Sequence, residues 1–410
     1  MRKHLFISLA RYGWGEITMG LRVAKQLRDL GDDVFFLVNE NLAPLLSSAR
    51  ISGETLNESL GPLVGVLIED IVAEEKPSSI ILADHLVCGD ALQRMGLTLE
   101  FLDRFGLPII AIDTWNHAET GSSVDLVGGG EWLLPTWSSK ISYGIVPVPF
   151  NATTVDHACS FMPSPSLIPR RIREHVRKDL GLCQQDQLVV LCTSEWQTNP
   201  LEFQSFNSMA DSIPRLLSKY LSRMGRHFHL LHFAPKPFDA LSDLGRQYHW
   251  VPSFPPMLPE QFQSVLGSSD LVLSLNYSAT TNHLAIALGT PVMLVMNSCE
   301  AKSQDDIDAW LASNSTDSVR EWAGKALPIS RFRMWPLGFH GFLQPTFKEN
   351  ELLNVCSEVE LLREADFLST IDCITSDRSW KAKFDERRDV YLSHIAALPS
   401  PGALVQNLLG

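Results

Sequence analysis

Residues 267–298, GSSDLVLSLNYSATTNHLAIALGTPVMLVMNS, constrain this chain more than any other stretch. Asp270 to Leu275 is a short apolar run with the length and β-branching of a buried strand. A polar loop, Asn276 to Asn282, follows. The apolar spacing then predicts a helix from about Thr281 to Leu288, with Gly289 at its C-cap and Pro291 barring continuation. Pro291 to Met296 reads as the next strand. Strand, loop, helix, Gly-x-Pro, strand is a βαβ unit. Its loop sets hydroxyls and unpaired backbone N–H groups at a helix N-terminus, where a phosphate is stabilised. Ser278, Thr280, Thr281 and Asn282 fit such a contact, and the same residues also fit plain N-capping. His283 has two readings, into the cleft or against the sheet.

The same grammar opens the chain. Leu5 to Leu9 is a buried strand, Ala10 to Glu16 a Gly-containing loop, Ile17 to Leu30 an amphipathic helix, and Val34 to Val38 a second strand. Ser79 to Ala83 is a strand ending at Asp84-His85, Ala91 to Phe105 a helix, and Leu107 to Ile112 a strand ending at Asp113-Thr114-Trp115-Asn116-His117. Carboxyl ends of strands line the ligand crevice of open α/β sheets, so these polar clusters are expected to face it. Asp113 also fits a simple cap, and Trp115 fits either a stacking platform or core. Tyr143 to Phe150 reads as the last strand of the first domain. Between Asn151 and Pro169 the composition turns to Ser, Pro and Thr without periodicity. The division that follows is a domain over 1–150, a linker over 151–175, a domain over 176–375 and a helical tail over 376–410. The second domain holds strands at Leu188–Cys192, ending at Thr193-Ser194-Glu195-Trp196, at His227–Phe233 and at Tyr248–Val251. A loop at 331–342, RFRMWPLGFHGF, is rich in aromatics.

Composition excludes several classes. A chain of 410 residues exceeds one ordinary core, and 45% hydrophobic with 20% charged residues is the balance of a globular protein. A net charge of −13 argues against a broad nucleic-acid surface. The basic run 170–178 is the one local exception, read as a solvated helix face or a polyanion dock. Seven scattered cysteines without a CxxC fit free thiols in a reducing compartment. No leader is legible before Arg11-Tyr12-Gly13-Trp14-Gly15-Glu16, and no apolar run spans a bilayer, so a cytoplasmic protein is expected. His227, His229 and His232 lack a nearby carboxylate in the sequence, and no metal centre is expected.

Taken together these stretches resemble the GT-B glycosyltransferase superfamily. Gly15-Glu16-Ile17 and its helix are similar to that family's first loop and helix, and Arg177 to Leu182 to the entry of its second domain. Trp250-Val251-Pro252 followed by Ser269-Asp270-Leu271-Val272 is similar to its donor-side segment, and Ala285 to Pro291 to its Ala-x-x-x-Gly-x-Pro close. The resemblance implies two Rossmann-like, doubly wound α/β domains facing across a cleft. It also implies a nucleotide-diphosphate sugar donor held by Ser278, Thr280, Thr281, Asn282, His283, Ser194, Glu195, Trp250 and Val251. A small-molecule, natural-product-like acceptor falls near Tyr12, Gly13, Trp14, Gly15, Asp84, His85 and Asp113 to Asn116. Glu16 fits either a first-turn carboxylate favoured by the helix dipole or the general base that the resemblance places there, with Asp84, Asp113 and His117 as the other candidates. No cofactor beyond the nucleotide-sugar co-substrate, and no metal, is implied.

Two positions depart from the family pattern. Leu284 stands where many members carry the acidic residue that holds the donor ribose, and Glu16 stands where a histidine is common. A different activated donor therefore remains the alternative, such as aminoacyl transfer from a charged tRNA to a small amine or hydroxylamine. A non-catalytic binding module on the same fold is a third reading.

Overall fold

Leu5, Phe6 and Ile7 are wholly buried on both faces of the first strand, the signature of a central parallel strand covered by helices on either side. In the computed structural model, that strand is the axis of a seven-stranded sheet. The structure describes residues 1–410 except 11–13, 117–122, 128–130, 134–140, 162–166, 195–196, 198–207, 225–226, 235–237, 242–258 and 312–315. Tyr12, Gly13, His117, Glu195, Trp250 and Val251 lie outside the described residues, as does the expected strand at 248–251. Trp14 is described only as the first residue of its helix.

The described strands are β1 (Lys3–Ser8), β2 (Asp33–Asn39), β3 (Gly53–Leu56), β4 (Ser79–Leu82), β5 (Ile109–Ile112), β6 (Ser123–Asp125), β7 (Glu131–Leu133), β8 (Tyr143–Val148), β9 (Ala158–Ser160), β10 (Gln187–Cys192), β11 (Phe228–Phe233), β12 (Leu271–Ser274), β13 (Val292–Met296) and β14 (Ser357–Glu360). The first sheet runs β3-β2-β1-β4-β5-β8-β9, every pair parallel. Its order reverses between β1 and β4, the switch point where a doubly wound sheet opens its crevice. The second sheet runs β11-β10-β12-β13-β14, also all parallel, with its switch point between β10 and β12. A short antiparallel hairpin, β6 with β7, stands apart from both.

The βαβ unit forms within a residue of its expected bounds: β12, then a helix over Thr280–Ala287, then β13. Gly289 follows the helix with φ +84°, a conformation open to glycine at little cost. Elsewhere the chain differs from its sequence reading. The helix expected over Ala91–Phe105 is instead a helix over His85–Arg94, a turn at Gly96 with φ +80°, and a 3-10 segment over Leu99–Phe105. Asp84 caps the earlier start, so the helix begins at the end of β4. The segment expected as linker holds β9, which completes the first sheet beside β8, and then the helix Arg170–Asp179 begins. Three residues of sheet edge carry too little alternation to be legible.

The basic run also differs. Arg173 and Arg177 pair with Asp270 at 2.7 and 2.9 Å, which ties the helix to the base of β12. In the tail, Arg378–Ala396 packs on the second lobe through Phe384, Tyr391 and Ile395. The helix Pro401–Leu409 crosses back to the first lobe, where Val405 is buried. There Gly402 N donates to Gln26 Oε1 at 2.8 Å and Gln406 Nε2 to Asp32 Oδ2 at 2.9 Å.

Candidate active site

Three carboxyl groups gather at the switch point of the first sheet. Glu16 sits in the first turn of the helix Trp14–Asp29, just beyond Gly15. Its Oε2 is shielded from water and has no hydrogen-bond partner, and burial pushes its pKa up. Asp84 ends β4, is 2% exposed, accepts from Val87 N at 2.9 Å and from Thr114 Oγ1 at 2.6 Å. Burial first, and then the charge of Glu16, raise Asp84 to about 7 against the pull of its two hydrogen bonds; Asp113 adds to the rise. Asp113 ends β5 and is equally buried. The turn after it is held by Asn151 Nδ2, which donates to Thr114 O at 3.0 Å. Asn116 closes that turn with φ +50°. So many carboxyl groups in one low-dielectric site cannot all be ionised together, and they titrate as a coupled set.

Two neighbours of the cluster have structural surroundings. His85 is buried at the start of its helix. Trp115 meets Phe339 and Phe342 edge-on at 6.2 and 6.3 Å, so its ring packs against the second lobe and not as an open stacking platform.

The second lobe offers the start of the helix Thr280–Ala287. Asn282 Nδ2 donates to the carbonyls of Asn276 and Tyr277 at 2.9 and 3.0 Å and fixes the preceding loop. Ser278 N and Oγ both donate to Asn276 Oδ1. Among the described residues no side chain caps the helix; Asn282 N donates to Ala279 O at 2.9 Å, and Thr280 and Thr281, half-buried at the mouth, carry the N–H groups that can meet an anion. His283 turns away from that mouth. It is 1% exposed, lies 2.7 Å from the Tyr391 hydroxyl, and burial with the nearby Arg22 charge lowers it to about 3. It is therefore a neutral core histidine joining this helix to Arg378–Ala396. Ser194, beyond β10, donates its N–H to Gln197 Oε1 at 2.9 Å.

Arg22, on the helix Trp14–Asp29 of the first lobe, lies near enough to His283 of the second for its charge to add to the lowering of the imidazole's pKa. Other cross-lobe contacts were not legible in the sequence. Tyr277 OH donates to Phe150 O at 3.2 Å, and Asn350 Nδ2 to the same carbonyl at 3.0 Å. Thr153 binds Glu351. Asp125 of β6 accepts from the backbone N–H groups of His340 and Phe342, both at 2.9 Å. The aromatic run at 331–342 was the only sequence signal for that last contact. His229 of β11 and His227 just before it have a carboxylate neighbour that the sequence did not suggest: Asp186 lies 3.1 Å from His227 and 3.6 Å from His229. Among the described residues, no three His, Cys, Asp or Glu side chains cluster as metal ligands.

A family model, described as a family of unknown function, DUF6365, matches residues 23–410. The chain belongs to DUF6365. Among curated protein sequences none matches it. Among solved structures, this DUF6365 chain is similar along its whole length to HepE of Anabaena in complex with UDP-glucose, at 10% identity, 98% coverage of that chain and a TM-score of 0.58. It is similar to the spinosyn rhamnosyltransferase SpnG complexed with thymidine diphosphate, at 12% identity, full coverage of both chains and a TM-score of 0.54. CalG4, the calicheamicin glycosyltransferase, matches at 12% identity, full coverage of this chain, 98% of its own and a TM-score of 0.51. Two parallel doubly wound sheets in this arrangement are the GT-B fold, and this DUF6365 chain has it.

Proposed function

We propose that this chain transfers a sugar from a nucleotide-diphosphate donor to a small-molecule acceptor. Two observations carry the reading: a buried, unpartnered carboxyl oxygen at Glu16 on one lobe, and on the other a helix start that Ala279 leaves without a side-chain cap. In this reading residues 1–150 with the edge strand β9 hold the acceptor, 176–375 hold the donor, the stretch between β9 and the helix Arg170–Asp179 acts as the hinge, and 376–410 strap the lobes together. The acceptor hydroxyl or amine gives its proton to Glu16 and attacks the anomeric carbon. The bond from that carbon to the phosphate oxygen breaks, and the nucleoside diphosphate leaves with the bonding pair. The N–H groups at Thr280 and Thr281 stabilise the charge that develops on it. A carboxylate whose pKa is raised by burial is the stronger base for such a step. Asp84 and Asp113 set the field around Glu16, and Thr114 orients Asp84.

The nucleotide and nucleotide-sugar complexes among the similar structures support a donor of this class. The tRNA alternative rested on the basic helix, which has two of its arginines engaged by Asp270. Thermal shift against UDP, thymidine diphosphate, AMP and tRNA tests the reading, since a specific ligand raises apparent stability. A shift with a nucleoside diphosphate, followed by release of that nucleotide from its sugar conjugate, is the expected result. A shift with tRNA alone would overturn it.

A further inference from the structure

Doubly wound sheets bind ligands in the crevice outside the carboxyl ends of the strands at their switch point. In the second lobe the strand ends at that switch point are joined by one residue, Trp335, whose ring packs into the core with Leu191 and Leu275. Trp335 is 4% exposed. Its backbone N–H donates to Leu275 O at 2.9 Å, immediately beyond β12. Its carbonyl accepts from Gln197 Nε2 at 2.8 Å, in the turn beyond β10. Its ring meets Phe238 edge-on at 5.5 Å, and Phe238 stacks at 4.8 Å on His232 of β11. One residue thus bridges the ends of β10, β11 and β12.

The segment carrying Trp335 pairs with its own lobe at Ile329, Phe332 and Met334, against Ala301, Asn297 and Asn276. Its far end is held by the β6–β7 hairpin, where Val124 and Val127 are buried against the second lobe. Besides the two bonds to the Asp125 carboxylate, Phe339 N donates to Asp125 O and Val127 N to Leu337 O, each at 2.8 Å. Gly338 permits this approach: φ is +111°, and a Cβ there would sit 2.7 Å from Asp125 O. The mouth of the helix Thr280–Ala287 stays open meanwhile. A diphosphate therefore has its place while the nucleoside next to it meets Trp335.

We propose that residues 329–342 are an autoinhibitory strap: Trp335 fills the nucleoside crevice, the Asp125 latch holds it there, and a nucleoside diphosphate binds fully only when the strap lifts. This rests on the nucleotide-donor reading above. Because the binding-competent state is then a minor one, weakening the latch tightens apparent affinity.

The test uses the full chain, with UDP as the probe and backbone hydrogen exchange as a ligand-free readout. Asp125→Ala removes the acceptor of two strap amides. It is expected to bind UDP about tenfold more tightly than the parent and to speed exchange at the Trp335 amide by a similar factor. A second variant works in the opposite sense. A Cβ on Gly341 would lie 3.7 Å from Asp125 Cγ, close enough for Asp125→Cys with Gly341→Cys to form a disulfide. Oxidation of that pair is expected to abolish UDP binding and reduction to restore it, with no such change in the oxidised parent. Equal UDP affinity in parent and Asp125→Ala, or unchanged Trp335 exchange when His340 and Phe342 are freed, overturns the strap. If neither protein binds UDP, the donor reading fails instead, and exchange at Trp335 decides the strap alone.

Discussion

Asp84 is placed to make the protein less stable as the pH rises. Its pKa moves from 3.8 in the unfolded chain to about 7 in the fold, chiefly through burial. Between those values the folded state holds a proton that the unfolded chain has released. Stability is therefore highest below about pH 4, falls through that window, and levels off above about pH 7. A rise of about three units at about 1.4 kcal/mol each puts the whole penalty on the order of 4 kcal/mol. More than half of this falls between pH 5 and pH 8. Asp84→Asn abolishes the titration while keeping an oxygen for the Val87 cap, at which asparagine serves as well as aspartate. Glu16 is coupled to Asp84, so the difference between the two proteins reports position 84 together with its coupling to Glu16. Urea midpoints followed by circular dichroism at pH 5 and pH 8 make the measurement. The parent should lose stability across that interval and the variant much less, so that the variant is the more stable protein at pH 8. Parallel midpoints in parent and variant would refute the assignment of a buried, high-pKa carboxyl to Asp84.

Glu16→Gln keeps shape and removes the basic site; it should lower turnover by about 10²–10⁴ with donor affinity nearly unchanged, measured by single-turnover kinetics and nucleotide titration. Thr280→Val with Thr281→Val should weaken nucleoside diphosphate binding in calorimetry while the melting curve keeps its cooperativity, since neither threonine caps the helix. Tyr391→Phe removes the partner of a buried histidine and should cost about 1–3 kcal/mol in urea titration without touching catalysis.

What the sequence made legible is what local burial writes into it. A strand covered on both faces must be apolar throughout, so β1, β4, β5, β10, β12 and β13 all stood out, and with them the polar residues at their carboxyl ends. Glu16, Asp84 and Asp113 were found this way, because the turn from strand to helix fixes where they point. His283 was not resolved, since the side it faces depends on Tyr391, more than a hundred residues away. The clamp between Asp125 and the amides of His340 and Phe342 had no pattern to betray it, for backbone N–H groups carry no side-chain identity. β9 and the return of Pro401–Leu409 were missed for the same reason: each is defined by a distant partner rather than by its own periodicity.

That returning helix bears on how the protein is made. Leu404, Val405, Leu408 and Leu409 cover the helix Trp14–Asp29 and the strand edge at β8 and β9. They are synthesised about 240 residues after β9. At the usual pace of about 5–20 residues per second, the first lobe leaves the ribosome with an apolar face uncovered for roughly 10–50 s. Its core cannot close in the order of translation. The second lobe has its covering helix once Arg378–Ala396 is in place, and the first lobe, made earlier, closes later, when Pro401–Leu409 docks on it.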